Sequence, residues 1–168
     1  MNTMQPIQNE VTLSASEQYN GFSQALEKIT NSEVAFSKGL SAFEDYKTFT
    51  YKREMRLKPF IYMHSSFDPN VSFVCVDPFI LTPSYSIELS RDTVKNLELD
   101  DKNDVIILCL VSVGKDMYTT TANLMSPIVI NTKTMKAEQV ILENFGPEYL
   151  RYNVWNSIGQ NNLTVSKK

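Results

Sequence analysis

From Lys47 to Leu57 apolar and polar positions alternate, with Phe49, Tyr51, Met55 and Leu57 set against Thr50, Lys52, Glu54 and Arg56. A period of two predicts a strand with one buried and one wet face. "PFIYMHSS" and "VSFVCV" predict two more strands, joined by the turn former "FDPN". Asp104 to Val113, "DVIILCLVSV", is apolar without alternation, which predicts a strand covered on both faces at the centre of the core. "SPIVIN" and "EQVILE" bracket "TKTMKA" as a hairpin. The period lengthens in "SRDTVKNLEL", where Ser90 is an N-cap, Asp92 sits in the first turn and Val94 and Leu97 face inward, so a short helix is expected. Tyr19, Phe22, Leu26 and Ile29 also recur at helical spacing, although "NGFSQALEKITNSEVAF" fits two short strands around a turn at Asn31 and Ser32 as well. Tyr149, Tyr152 and Trp155 predict a last packed segment of about one helical turn.

Pro78 and Pro83 punctuate the middle of the chain, since each fixes a backbone angle and removes a donor. Residues 1–18 are polar and Ser-rich and predict a flexible N-terminal arm, residues 157–168 a flexible tail, and residues 19–156 the folded body. At 168 residues the chain can bury one substantial core. Short, closely spaced strands with one or two short helices predict a mainly β fold, a compact antiparallel β-barrel-like single domain.

A composition of 42% hydrophobic and 21% charged residues is that of a soluble globular protein. The net charge of -3 argues against a coat for nucleic acid, whose affinity rests on phosphate neutralisation by Lys and Arg, and favours a basic partner. The first residues carry neither a basic nor an apolar run, and no stretch reaches the roughly 18 apolar residues of a membrane span. The expected compartment is the cytoplasm.

One His and two dispersed cysteines do not make a zinc site, which needs about four ligands. None of the five glycines stands in a phosphate-cradling pattern. Cys75 and Cys109 lie in apolar runs and read as small core filler. "HSSFD" brings His64, Ser65, Ser66 and Asp68 together in sequence, but neighbours on a strand point to opposite faces, so a hydrolytic triad is not expected. His64 shares a face with Phe60 and Tyr62 and reads as a partly buried structural residue. The threonines of "YTTTANLMSPIVIN" have no base nearby and read as side-chain to backbone hydrogen bonders at the start of a core strand, with partner contact a second duty for Asn123. Lys52, Arg56 and Lys58 suggest a basic strand face that holds RNA or merely protects an edge. Glu98, Asp100, Asp101 and Asp104 make an acidic turn that either solvates a loop or steers a basic protein surface. No enzymatic centre, cofactor or metal is expected.

The order of motifs then carries a resemblance. "FSKGLSAFEDYKTF", "PFIYMHS", "SFVCVDPFILTPSY", "SRDTVKNLEL", "DVIILCLVSV", "TTANLMSPIVIN" and "KAEQVIL" together resemble FliW, the bacterial flagellar assembly factor family, from about Tyr19 to Leu142. Its strongest pieces are Asp77-Pro78-Phe79 with Tyr85, and Thr121-Ala122-Asn123-Leu124 leading into Pro127 to Asn131, followed by Gln139. The family's usual Pro-Gly stands here as Ser41-Ala42, and its Leu-Gln as Met63-His64. The resemblance implies a small antiparallel β-barrel with little helix, and so favours strands over a helix after Tyr19. It implies a cytoplasmic protein, monomeric when free, that binds flagellin and, once flagellin is exported, binds CsrA and relieves its translational repression. Neither nucleic acid nor membrane is a direct partner on this reading; the alternative is a small β-barrel RNA binder using Lys52, Arg56 and Lys58. On charge, CsrA is expected at Glu98, Asp100, Asp101 and Asp104. Flagellin is expected at Phe79, Tyr85, Asn123, Leu124 and Pro127, of which Phe79, Tyr85, Leu124 and Pro127 read equally well as core.

Overall fold

The computed structural model describes residues 10–15 and 21–158. Seven strands close into a barrel: β2 (Glu33–Phe36), β3 (Thr48–Arg53), β4 (Ile61–Ser65), β5 (Ser72–Val76), β7 (Val105–Ser112), β9 (Ile128–Asn131) and β10 (Lys136–Gln139). Around the barrel the order is β7-β5-β4-β3-β2-β10-β9, and β9 returns to β7 through pairs such as Ile106 with Ile130 and Leu108 with Ile128. Every pairing is antiparallel except β2 with β10. Closure leaves these strands no open edge. Alternation then decides what points inward: Phe49 and Tyr51, Ile61 and Met63, Ile106 and Leu108, Ile128 and Ile130 fill the interior.

A second layer covers one outer wall. β1 (Val11–Ser14) pairs with β6 (Ser86–Leu89), and together with α3 (Arg91–Asn96) this ribbon buries Leu13, Ile87, Leu89, Val94 and Leu97 against Val105, Ile107, Cys109 and Val129. That is why β7 has no polar face: one side lines the barrel and the other lies under this layer. Short strands β8 (Thr121–Ala122) and β11 (Tyr152–Asn153) extend the sheet beyond the end of β7.

A nine-residue helix, α1 (Phe22–Thr30), buries Ala25, Leu26 and Ile29 among the barrel-interior residues and packs against both β3 and β7. Those two strands are not neighbours, so the helix lies across the barrel mouth. The helical period of Phe22, Leu26 and Ile29 therefore describes the segment, and the strand expectation drawn from the resemblance is corrected there; only Glu33–Phe36 is strand. The expected short helix is α3, with Ser90 Oγ accepting from Thr93 N–H at 3.2 Å. One more turn, α2 (Pro78–Leu81), follows β5.

Two further expectations change. The strand foreseen through Leu57 ends at Arg53; the chain then turns through Met55–Leu57 and leaves Met55 74% exposed. The arm foreseen over residues 1–18 contains β1, with Val11 and Leu13 buried; residues 1–9 and 16–20, like 159–168 of the expected tail, lie outside the described residues. Ala42 has φ 68, where the family's usual glycine is at ease; Glu44 Oε1 accepts its N–H at 2.9 Å, and Gln139 Oε1 accepts from Ser41 N–H at 3.0 Å.

Candidate partner-binding site

The residues of "HSSFD" serve a turn. On β4, Ile61, Met63 and Ser65 face inward while Tyr62 and His64 face out, their rings 6.0 Å apart. Ser65 Oγ accepts from Phe67 N–H and Asp68 N–H, both at 3.2 Å. Asp68 accepts from Asn70 N–H at 2.9 Å and from Tyr46 Oη–H at 3.3 Å. His64, Ser65 and Asp68 are thus not brought to a common point. Cys75 and Cys109 are free and buried. Burial pushes the Cys75 thiol up to about 12 and holds Cys109 well above its ordinary value, so both are neutral filler.

The four acidic residues do come together, on the turn between α3 and β7. Leu97 and Leu99 are buried and pin the turn from below, while Glu98, with φ 53, reverses the chain between them. Asp101 Oδ1 accepts from Asn103 N–H at 2.9 Å and caps the 3-10 turn Lys102–Asp104. The carbonyl of Asp104 accepts from Thr132 N–H at 2.7 Å and Thr132 Oγ1 at 3.1 Å. Asn131 completes the anchorage: its Nδ2 donates to the carbonyls of Leu97 and Glu98 at 2.8 and 3.1 Å, and its Oδ1 accepts from Lys133 N–H at 2.9 Å. Glu98 also meets Lys136 Nζ at 2.9 Å, an exposed pair worth little to stability. Asp100 is exposed, Asp101 and Asp104 half-buried. The sequence signal for Asn131 as a supporting residue is an Asn at the end of an apolar run and before a turn.

The second set is placed differently. Phe79, Tyr85 and Leu124 are at most 2% exposed and Pro127 is buried; of the five, Asn123 alone keeps some surface. Tyr85 Oη–H donates to the carbonyl of Leu124 at 2.7 Å, and its ring packs against Phe79 and Phe145 at 5.5 and 5.4 Å. Burial holds the Tyr85 hydroxyl far above its ordinary range, so it stays a donor. The Asp77-Pro78-Phe79 turn and the Asn123-Leu124 lead-in are therefore tied through Tyr85 in one buried cluster, and of the five residues only Asn123 keeps surface. Asn123 Oδ1 accepts from Met125 N–H at 3.1 Å. Thr120 Oγ1 accepts from Gly114 N–H and donates to the Asp116 carbonyl, and Asp116 Oδ1 accepts from Thr119 N–H. Backbone support is the visible duty of these polar groups.

A pocket of about 280 Å³ opens beside α1 at the barrel mouth. Phe22, Leu26, Phe60 and Ile80 supply apolar wall, and Arg53, Lys58 and the buried Asp77 also line it. Asp77 is 6% exposed, and burial pushes its carboxyl up to about 6 against the lowering effect of the hydrogen bond its Oδ1 accepts from Phe79 N–H at 3.0 Å.

Comparison with known proteins gives this architecture its place. The sequence model of the FliW protein family matches residues 19–154. The chain is 38% identical over 111 residues to the flagellar assembly factor FliW of Syntrophus aciditrophicus (strain SB), covering 66% of this chain and 70% of that protein. It is 32% identical over 129 residues to the one from Caldicellulosiruptor saccharolyticus, covering 76% and 83%. A crystal structure of the flagellar assembly factor FliW superposes with a TM-score of 0.64 at 34% identity, over 69% of this chain and 81% of that one. Among the described residues no helix is long and apolar enough to cross a membrane. With the barrel, the motif order and these matches in agreement, the chain belongs to the FliW family, whose members are flagellar assembly factors rather than enzymes.

Proposed function

We propose that this flagellar assembly factor works in the cytoplasm by binding flagellin and, when flagellin has been exported, by binding CsrA and lifting its repression of flagellin translation. The observation that carries the CsrA half is the acidic turn. Asp100, Asp101 and Asp104 are held at one end of the barrel by Asn131, Thr132 and the cap of the 3-10 turn, so they need little ordering on binding. A fixed acidic patch raises the encounter rate with a basic regulator and sets its register. For flagellin, of the residues expected from sequence only Asn123 keeps surface, so the partner's remaining contacts come from neighbouring exposed groups.

The test is calorimetry of the purified protein with flagellin and with CsrA from the same organism. Binding to both, with CsrA released as flagellin is added, is the expected result. Heat from neither titration overturns the proposal.

A further inference from the structure

Lys52, Arg56 and Lys58 do not make the strand face that their spacing suggests. Lys52 and Arg53 close β3, while Arg56 and Lys58 lie on the turn beyond it, and all four are exposed. What this basic turn borders is the apolar pocket at the barrel mouth, where Arg53 and Lys58 stand beside Phe22, Leu26, Phe60 and Ile80. Neither cation makes an ion pair with a described residue.

We infer that this pocket docks a polypeptide partner through one Tyr or Trp side chain flanked by carboxylates. The size sets the scale: about 280 Å³ falls just below the roughly 300–1,000 Å³ of small-molecule sites, and suits one large side chain. Asp77 selects the anchor, because a buried carboxyl whose Oδ1 accepts from Phe79 N–H still has a second oxygen to accept from an indole N–H or a phenol O–H. The rim selects the flanks, since carboxylates near the anchor meet Arg53, Lys58 and the adjacent Lys52 and Arg56. An RNA backbone would meet the same cations but leave the apolar wall uncovered and bring phosphates towards Asp77.

This surface is separate from the acidic turn. Arg53 pairs with Ile61, Ile61 with Cys75 and Cys75 with Leu110. Leu110 lies six positions along the chain from Asp104, roughly 20 Å at strand rise. The inference stands whichever protein binds the acidic end.

Selection of a random peptide library on the whole protein tests it, followed by fluorescence anisotropy of the enriched peptides. Ser23 is exposed on α1 and lines the mouth, so Ser23→Trp fills the opening without entering the core. Enriched peptides are expected to carry Tyr or Trp within one helical turn of Asp or Glu. Their affinity should fall about tenfold or more in Ser23→Trp and, separately, in Arg53→Glu with Lys58→Glu, circular dichroism confirming the fold of each. No enrichment, a basic consensus, or binding that survives both variants overturns the inference. So does a single-stranded RNA that binds more tightly than any selected peptide and is lost in the charge-reversed protein.

Discussion

At Asp77 geometry asks for an acceptor oxygen while burial penalises the carboxylate's charge. Oδ1 caps α2 by accepting from Phe79 N–H, with Pro78 at the first helical position. Burial outweighs that bond and lifts the folded-state value to about 6, from about 3.9 in the unfolded chain. A raised carboxyl contributes stability that is fully present below about pH 4 and is lost as pH rises through about 6, because the folded state then holds a proton the unfolded state releases. The difference of about two units corresponds to about 2–3 kcal/mol. Asp77→Asn keeps an acceptor for the cap and has no charge to bury. Urea unfolding of both proteins should show the variant gaining about 2–3 kcal/mol on the parent between about pH 4 and pH 7.5. A difference that stays flat with pH would mean that the carboxyl is not desolvated in the folded state.

Among the elements, α1 packs Ala25, Leu26 and Ile29 among the barrel-interior residues. Ile29 is fully buried among barrel-interior residues, so Ile29→Ala should cost about 2–5 kcal/mol by denaturant unfolding, against a few tenths for the exposed Gln24→Ala. A cost under about 1 kcal/mol would show that the helix does not close the barrel. How legible each element was follows from how much pattern it carries. β7 could be read from ten residues without alternation, and α3 from Ser90, Asp92, Val94 and Leu97, because cap and inward positions agree. α1 carries its helical period over nine residues, a local signal that a family-level expectation of little helix does not outweigh. β1 and β6, four residues each, offer only Val11 with Leu13 and Ile87 with Leu89, too short a signal in polar surroundings. The acidic turn was legible because charged residues seldom bury. Phe79, Tyr85, Leu124 and Pro127 were not assignable to surface or core, since an apolar side chain beside a turn reads the same until the layer that covers it is known. The pocket was wholly hidden: Phe22, Lys58, Asp77 and Ile80 meet only once α1 crosses the barrel mouth.

The whole molecule separates charge in a way its net value of -3 conceals, with Glu98 to Asp104 where β7 begins and Lys52 to Lys58 near the level where β7 ends. A closed barrel with its strands paired around the wall offers no edge strand there to a partner. If CsrA is captured by the acidic end alone, a change confined to that end should separate the two partners. Asp100→Lys reverses an exposed charge, and Asp101→Asn removes another while keeping the oxygen that caps Asn103 N–H. In this double variant CsrA affinity is expected to fall about tenfold or more and to lose much of its dependence on salt, while flagellin affinity stays within about twofold. Calorimetry across a salt series reads both. Were flagellin affinity to fall in step with CsrA, the two would share the acidic end and exclude one another by direct overlap. Were CsrA affinity unchanged, capture would rest on other residues, and the charge segregation along β7 would have no part in the switch.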